Sequence, residues 1–395
     1  MYGSHKAMVE TAVVDEGSAL FASEYYIRHM EGLSDEKYLL WGFSDFQRLT
    51  PELRKMFPGS STTGLGYFGN GSTSFKLSAD NARLRLTTYS PLENMSDAER
   101  RYALTAPPAG PLRSLNYIDR HSIYSYATNH FDGLSLIEQS VEAFKDVEGL
   151  GLSQELVETR LSDSSAVLGF DPKNDLLAIL GPELAISIAN VPQDAVQTGT
   201  FGGDLLLLVG VKDRALMEEN LTTFESVLQN NFAPPANQQP NAAPSPRVVK
   251  SERVGETDVR TLDVEALRKN AISPSWALTP DNLMLITLQK KTLVSALSIA
   301  SGGSKESILA DSRFDRVAAE SGENRHALMM LPLSRLTSLA GLSDAFTGPI
   351  ASDAKRAEAV QLVKILSLIN EVVVSTTYRP KGKKQESMIF FAKSE

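Results

Sequence analysis

The sequence predicts an α+β fold in which helices pack on antiparallel sheets and the chain is organised as a two-fold pseudo-repeat. Three observations lead to this prediction: two β-hairpin patterns, several amphipathic helices that begin at capping residues, and an order of elements that recurs along the chain. Strands joined by short turns pair in the antiparallel sense, whereas parallel strands need long crossovers. The short turns therefore favour α+β over a doubly wound parallel sheet.

Helices are indicated where a capping residue precedes apolar residues at helical spacing. They are predicted over residues 52–57, 134–144, 173–180, 213–230 and 353–370. In Asp171-Pro172 the aspartate can cap the helix while the proline takes the first helical position, where no hydrogen bond is lost. Ser135 is followed by Glu138, which is the pattern of a capping box. The helix over 353–370 has the clearest apolar stripe and should pack against a sheet.

Strands are indicated by runs of β-branched and apolar residues between turn residues. They are predicted over 204–211, 283–288 and 371–378, and two hairpins are predicted from 74–77 with 83–89 and from 372–378 with 387–392. The turn of the second hairpin carries Lys381, Lys383 and Lys384. This short basic run indicates a solvated turn rather than a nucleic-acid site.

Two proline-rich breaks divide the chain, because proline lacks the N–H that a strand or a helix would use. They lie at residues 106–111 and 233–247. The predicted organisation is an N-terminal α+β unit over 1–105, a central α+β unit over 112–232, a disordered linker over 233–247 and a C-terminal α+β unit over 248–395. A sheet could be shared between these units.

The pseudo-repeat is predicted from element order rather than from identity. Residues 24–53 and 311–342 both read helix, turn, strand and helix, and residues 122–143 and 283–299 both read strand, polar turn and helix. Each of the first two segments is followed by one of the hairpins. The sequence therefore predicts two related α+β units.

Composition excludes several classes of protein. The formal net charge of -9 would repel a phosphate backbone, so no nucleic-acid partner is expected. The absence of cysteine excludes disulfides, zinc–thiolate sites and a cysteine nucleophile. No run approaches the roughly 20 apolar residues of a membrane span, so no transmembrane segment is expected.

Residues 171–188 read D-x3-D-x4-L-G-x-E followed by an alternating apolar strand, with Asp171, Asp175, Gly181 and Glu183 at the defining positions. This segment resembles the signature of an uncharacterised family of large bacterial envelope proteins, a domain of unknown function, and the order of elements over 117–336 is similar as well. The resemblance implies export, an α+β repeat architecture and no known catalytic residues. It also implies an N-terminal signal or membrane anchor, and a tag-like Gly-Ser-His at residues 3–5 leaves room for one upstream of the sequence given.

A glycine-rich loop at residues 64–69 matches G-x-G-x-x-G, the pattern that lets a backbone approach a pyrophosphate at a helix N-terminus. A strand-like segment follows it instead of a helix. The loop is therefore interpreted as a flexible turn, and no cofactor is expected.

The histidines suggest one possible metal site. Asp119 and His121 would share one face of a strand, and a turn could return His130 and Asp132 to them. Two imidazoles and two carboxylates can hold a divalent metal. The alternative interpretation is that these are surface residues beside a strand end, with 130–133 closing a turn.

Five aromatic residues form the densest aromatic cluster of the sequence. They are Tyr25, Tyr26, Trp41, Phe43 and Phe46. An N-terminal core is favoured over a ligand or partner surface, because aromatic side chains contribute large areas to cores.

These observations favour a non-enzymatic extracytoplasmic structural or binding protein, periplasmic or membrane-anchored, whose partner is an unknown protein or a cell-envelope component. Two alternatives stay open. One is a metal-dependent hydrolase that uses the Asp/His cluster, and the other is a cytosolic interaction module. The sequence indicates no catalytic residue, no cofactor and no oligomeric state.

Overall fold

The computed structural model of the protein describes residues 38–45, 72–80, 83–95, 97–144, 153–189, 204–233, 247–270, 272–302, 306–312, 325–337 and 366–391, together with Leu33, Phe314 and Gln361. Their strands are β1 (Leu40–Asp45), β2 (Ser72–Asp80), β3 (Arg83–Pro91), β4 (Tyr124–Thr128), β5 (Leu180–Ile188), β6 (Leu205–Val211), β7 (Val249–Val254), β8 (Thr257–Leu262), β9 (Ser275–Leu278), β10 (Leu283–Thr287), β11 (Ala327–Leu331), β12 (Ile369–Arg379) and β13 (Gly382–Phe391).

The α-helices of the same residues are α1 (Asp97–Leu104), α2 (Gly133–Phe144), α3 (Gln154–Leu168), α4 (Arg214–Phe232), α5 (Glu265–Lys269), α6 (Lys290–Ser301) and α7 (Leu333–Thr337). Short helical turns of 3-10 or π type cover Leu92–Asn94, Arg113–Tyr117, Pro172–Leu176, Leu177–Ile179 and Ile308–Ala310.

The described strands form one antiparallel sheet, in the order β1-β2-β3-β13-β12-β11-β4-β5-β6-β10-β9-β8-β7. The predicted fold class, an α+β protein of several antiparallel sheets with a two-fold pseudo-repeat, is therefore wrong. Pairings between strands that are distant in the chain, such as β4 with β11 and β6 with β10, join the hairpins into a single sheet. The strands of the proposed repeat segments 122–143 and 283–299 also have different neighbours in the sheet. The first contains β4, which lies between β5 and β11, and the second contains β10, which lies between β6 and β9.

The chain divides into two compact units. One consists of Met1–Thr105 with Thr376–Met388, and the other of Ala106–Ser375 with Ile389–Glu395. In the first unit β2 and β3 form the predicted hairpin, with Ser74 opposite Tyr89. Gly382 lies so close to Tyr89 that a Cβ would fall 2.7 Å from its ring, so this position requires glycine.

The core of the second unit contains a row of small and large apolar residues that crosses five strands. The row consists of Ala127, Ala185, Leu208, Leu285 and Ala277, each 0 or 1% exposed. Because side chains alternate along a strand, the next row on this face is formed by residues two positions away. That row is mostly polar, and its members are Ser125, Ser187, Leu206, Thr287 and Ser275.

Helix α4 covers part of the other face of the sheet. Its buried side chains Met217 and Leu221 belong to one apolar cluster with Trp276 and Met284 of the sheet. The ring of Phe224 lies 6.0 Å from that of Trp276, a distance at which aromatic pairs attract each other. The helix begins where the side chain of Asp213 accepts a hydrogen bond from Leu216 N at 3.0 Å.

Two predicted caps have different outcomes. Ser135 does not cap α2, because Asp132 accepts the hydrogen bond from Ser135 N at 2.9 Å and places the serine inside the helix. The segment predicted as a helix over 173–180 consists of a π turn and a 3-10 turn, and Asp171 caps it by accepting from Lys173 N at 2.8 Å.

Several predictions fall on residues outside the described ranges. These are the helices over 52–57 and, for most of its length, 353–370, the glycine-rich loop at 64–69, the linker at 233–247 apart from its two end residues, and Tyr25, Tyr26 and Phe46 of the aromatic cluster. The division into three α+β units stays a prediction.

Candidate functional site

A cleft in the second unit lies beside helix α6, next to the ends of β5 and β6 and the segment that follows residues Arg113–Tyr117. Its inner part has a volume of about 300 Å³ and its outer part about 730 Å³. The inner part is lined by Tyr117, Asp119, Ser122, Ser187, Ala189, Asp204, Leu206, Lys291, Thr292, Ser295, Ala296 and Ile299. Cavities of this size are typical of small-molecule sites.

The glutamate of the Leu-Gly-x-Glu motif positions one wall of the cleft. Glu183 is 2% exposed and accepts hydrogen bonds from Ser114 N at 3.0 Å and from Arg113 Nε at 3.1 Å. These two donors belong to the helical turn Arg113–Tyr117, which therefore stays against β5. Through Glu183, the Leu-Gly-x-Glu motif therefore holds the turn Arg113–Tyr117, which leads into the cleft.

The turn ends at Tyr117, which is anchored to the loop between β9 and β10. Its hydroxyl donates to Asp281 Oδ1 at 2.9 Å, and Thr279 Oγ1 donates to the same oxygen. Burial, together with the Asp281 carboxylate, raises the pKa of Tyr117 to about 12. The phenol is therefore a protonated hydrogen-bond donor at neutral pH.

Backbone hydrogen bonds fix the segment that carries Asp119. Ile308 N donates to Ile118 O and Arg120 N donates to Glu306 O, both at 2.8 Å. On the other side, Arg335 Nη1 donates to Arg120 O at 2.8 Å and to Ser122 O at 3.1 Å. Asp119 and Ser122 are therefore held in place from two directions.

Hydroxyl groups line much of the inner cleft. Ser122 Oγ and Ser187 Oγ hydrogen bond to each other at 2.8 Å, and both residues are 3% exposed. Ser295 lies on the exposed side of α6. The Thr292 hydroxyl is buried and has no hydrogen-bond partner among the residues that the structure describes. Buried polar atoms without a partner are uncommon in folded proteins, so this hydroxyl is available to a molecule bound in the cleft.

Most charged groups around the cleft are paired. Lys291 Nζ lies 3.4 Å from Asp204 Oδ1, Arg120 Nε lies 3.3 Å from Glu306 Oε2, and Lys290 pairs with Glu252. Asp119 differs from these groups, because its carboxylate accepts a hydrogen bond from His121 N at 2.7 Å but forms no ion pair with any described residue. Among the described residues, the Asp119 carboxylate is thus the one acid lining the cleft that has no ion-pair partner.

The four residues of the proposed metal site do not come together. Asp119 and His121 precede β4 and His130 and Asp132 follow it, so the two pairs lie at opposite ends of that strand. No group of three or more His, Asp or Glu residues within the described part of the chain could hold a metal ion. Of the four, only Asp119 lines the cleft.

The other three have separate environments. His121 is exposed, and its Nε2 lies 3.2 Å from Arg120 Nε. Asp132 accepts from Lys212 Nζ at 2.9 Å in addition to capping α2. Burial acts to raise the pKa of the Asp132 carboxyl, but the hydrogen bonds from Lys212 and Ser135 outweigh it, so this pKa lies below its usual value.

His130 packs against a histidine that the sequence reasoning did not connect with it. Its ring lies edge to face with that of His326, with the ring centroids 6.4 Å apart. His326 is 2% exposed, and its Nε2 lies 2.7 Å from Pro107 O, so that nitrogen must carry the proton. Burial lowers the pKa of His326 below its usual value, against the opposing effect of this hydrogen bond.

The two aspartates of the motif have a local role. Asp171 caps the turn Pro172–Leu176, and the Asp175 carboxylate accepts from Asp171 N at 2.8 Å. This reciprocal arrangement satisfies backbone donors at the start of the turn. Neither aspartate lines the cleft.

Comparison of the chain with known protein families, with curated proteins and with solved structures gave no match. Fold and site together define a single-sheet protein with a cleft beside a helix, in which apolar residues alternate with hydroxyl and charged groups. The resemblance of 171–188 to the envelope family stays a prediction. Within the described ranges, every helix is too short or too polar to cross a bilayer.

Sequence reasoning missed most of the cleft. Ser122, Ser187 and Asp204 are ordinary polar residues in or beside predicted strands, and Lys291 is one lysine of a helix start. One signal was available, because Ser187 is a polar residue in an alternating strand at a position that shares a face with Ala185. A polar residue on the buried face of a strand requires a partner.

Proposed function

We propose that the protein is a non-enzymatic binding protein located outside the cytoplasm, and that its cleft holds a small molecule. The observation that carries this proposal is the composition of the inner cleft, which combines an apolar surface from Leu206, Ala296 and Ile299 with several hydroxyl groups and a charged rim. Ligand sites are typically concave, largely apolar and supplied with a few polar groups that orient the ligand.

The hydroxyl groups support binding rather than catalysis. A serine nucleophile needs a base within hydrogen-bond reach. The hydroxyls of Ser122 and Ser187 instead bond to each other, and neither bonds to a histidine or a carboxylate of the described residues. Paired hydroxyls of this kind can accept from and donate to a bound molecule.

Location outside the cytoplasm is supported by the resemblance of residues 171–188 to envelope proteins. Protease treatment of spheroplasts, whose outer membrane has been opened, and of lysed spheroplasts tests this part in cells that produce the full-length gene product. Degradation in spheroplasts or release with the periplasmic fraction is expected, and protection until the cytoplasmic membrane is lysed would contradict it.

Binding is tested by saturation-transfer NMR with a mixture of small polar metabolites. Ser295→Trp would fill the cleft with an indole ring from the exposed side of α6, and Ser162→Trp places the same ring on exposed α3 as a matched control. We expect at least one component to receive saturation from the wild type and from Ser162→Trp but not from Ser295→Trp. Equal transfer in all three proteins, or none in any, would contradict binding in the cleft.

A further inference from the structure

We infer that the cleft selects a small organic cation, namely a primary ammonium on a short body that also carries a hydroxyl group. This inference rests on the proposed binding function and adds the chemical class of the ligand. It follows from the charges, the hydroxyl groups and the apolar wall of the cleft.

The charge of the cleft favours a cation. Its ion pairs are Asp204 with Lys291, Glu306 with Arg120 and Glu252 with Lys290, and each of them is neutral as a pair. The carboxylate of Asp119 lines the cleft and forms no ion pair with any residue that the structure describes. A carboxylate can accept several hydrogen bonds, and the one from His121 N leaves capacity for an ammonium group.

None of the described cations near Asp119 forms an ion pair with it. Arg120 pairs with Glu306, and Arg335 donates to the backbone carbonyls of Arg120 and Ser122. The Lys291 side chain is 69% exposed and pairs with Asp204. A bound ammonium could therefore form a direct ion pair with Asp119, whereas a bound anion would place a second negative charge next to that carboxylate.

The remaining lining favours an aliphatic body with a hydroxyl group. Leu206, Ala296 and Ile299 can contact methylene groups, and the side chains of Ser122 and Ser187 can exchange hydrogen bonds with an alcohol. An inner volume of about 300 Å³ is sufficient for a chain of several carbon atoms. A purely apolar amine would leave the hydroxyl-rich part of the cleft without a partner.

Isothermal titration calorimetry with three probes of equal length tests the inference. The probes are 6-amino-1-hexanol, 1,6-hexanediol and 6-hydroxyhexanoate, which place an ammonium, a hydroxyl or a carboxylate at one end. We expect the amino alcohol to bind the wild type about tenfold more tightly than the diol, and the hydroxy acid to bind most weakly, because a charge-assisted hydrogen bond is stronger than a neutral one.

Two variants locate the effect. Asp119→Asn keeps an acceptor for His121 N but removes the charge, so it should abolish the preference for the amino alcohol. Asp163→Asn removes the same charge from exposed α3 and should leave the preference unchanged. Thermal unfolding of Asp119→Asn confirms that the variant is folded before binding is compared.

The outcomes separate the inference from the proposed function. If the diol or the hydroxy acid binds as tightly as the amino alcohol and Ser295→Trp abolishes that binding, the cleft is a binding site but the cation inference is wrong. The same conclusion follows if none of the three probes binds while another metabolite binds in a manner sensitive to Ser295→Trp. If Ser295→Trp affects no binding at all, both the inference and the proposed function are overturned.

Discussion

The buried carboxylate of Glu183 binds the backbone N–H of Ser114 across 69 positions of the sequence, at 3.0 Å. This hydrogen bond joins strand β5 to the helical turn Arg113–Tyr117. Because the turn leads directly into the cleft, a residue that does not touch the inner cleft controls the position of its wall.

Replacement of Glu183 should show how much this anchor contributes. Glu183→Ala leaves a buried N–H without an acceptor and should lower the free energy of unfolding by about 2–3 kcal/mol. Glu183→Gln keeps an acceptor and should lower it by only about 1 kcal/mol. Urea unfolding followed by circular dichroism measures both, and equal losses would contradict a specific role for the acceptor.

Gly181 should tolerate no side chain. Its φ of 118° lies in the region that favours glycine, and a Cβ would fall 2.3 Å from Phe131 O. Gly181→Ala should therefore lower the free energy of unfolding by about 3 kcal/mol or more. Gly255, with a φ of 59° and no atom near the position of a Cβ, is the matched control, and Gly255→Ala should cost about 1 kcal/mol. Similar losses at the two glycines would contradict the clash at Gly181.

The buried His326 should make the protein less stable in mild acid. Its folded-state pKa lies below the usual 6.5, so the unfolded chain binds a proton first as the pH falls. The stability is present above pH 6.5 and is lost as the pH decreases from there through the folded-state pKa. Thermal unfolding of the wild type and of His326→Gln between pH 7.5 and pH 5 (roughly one unit above to one and a half below that value) measures this loss. An identical pH dependence in the two proteins would contradict the assignment.

Tyr117 should have a corresponding effect in alkali. Its folded-state pKa of about 12 exceeds the usual 10.0, so the unfolded chain loses the proton first and stability decreases as the pH rises between these values. Tyr117→Phe should lower stability at neutral pH by about 1 kcal/mol, because one hydrogen bond to Asp281 is lost. Ultraviolet titration of tyrosinate should show one late-ionising group that is missing from the variant. A titration that the substitution leaves unchanged would contradict the assignment.

Individual helices and strands could be predicted from the sequence where they depend on interactions between residues close together in the chain. The helix predicted over 213–230 is observed as α4, because Asp213 caps it and its apolar residues repeat at helical spacing. The strand predicted over 204–211 and the hairpin of β2 and β3 follow from similar short-range patterns. Ser135 was assigned the wrong role because the Asp132 side chain, three residues earlier, accepts the hydrogen bond from Ser135 N that the predicted capping box gives to Glu138.

Architecture and site could not be predicted in this way, because they depend on pairings across long stretches of chain. Nothing near Ser122 indicates that its hydroxyl meets Ser187, 65 positions away. The same applies to the contact between His130 and His326, and to the arrangement of strands in one sheet instead of several. Asp119 was identified as a candidate, but the residues that line the cleft with it lie largely on α6 and at the ends of β5 and β6, and neither His121 nor His130 is among them.

The pairing of β4 with β11 also has a consequence for biosynthesis. Thr128 and His326, which hydrogen bond beside this pairing, are 198 positions apart. At translation rates of about 5–20 residues per second, the edge of β4 that pairs with β11 stays unpaired for about 10–40 s, until β11 has been synthesised. Exposed strand edges recruit other chains, so a nascent or truncated polypeptide that ends before β11 should be a chaperone client and a source of aggregates.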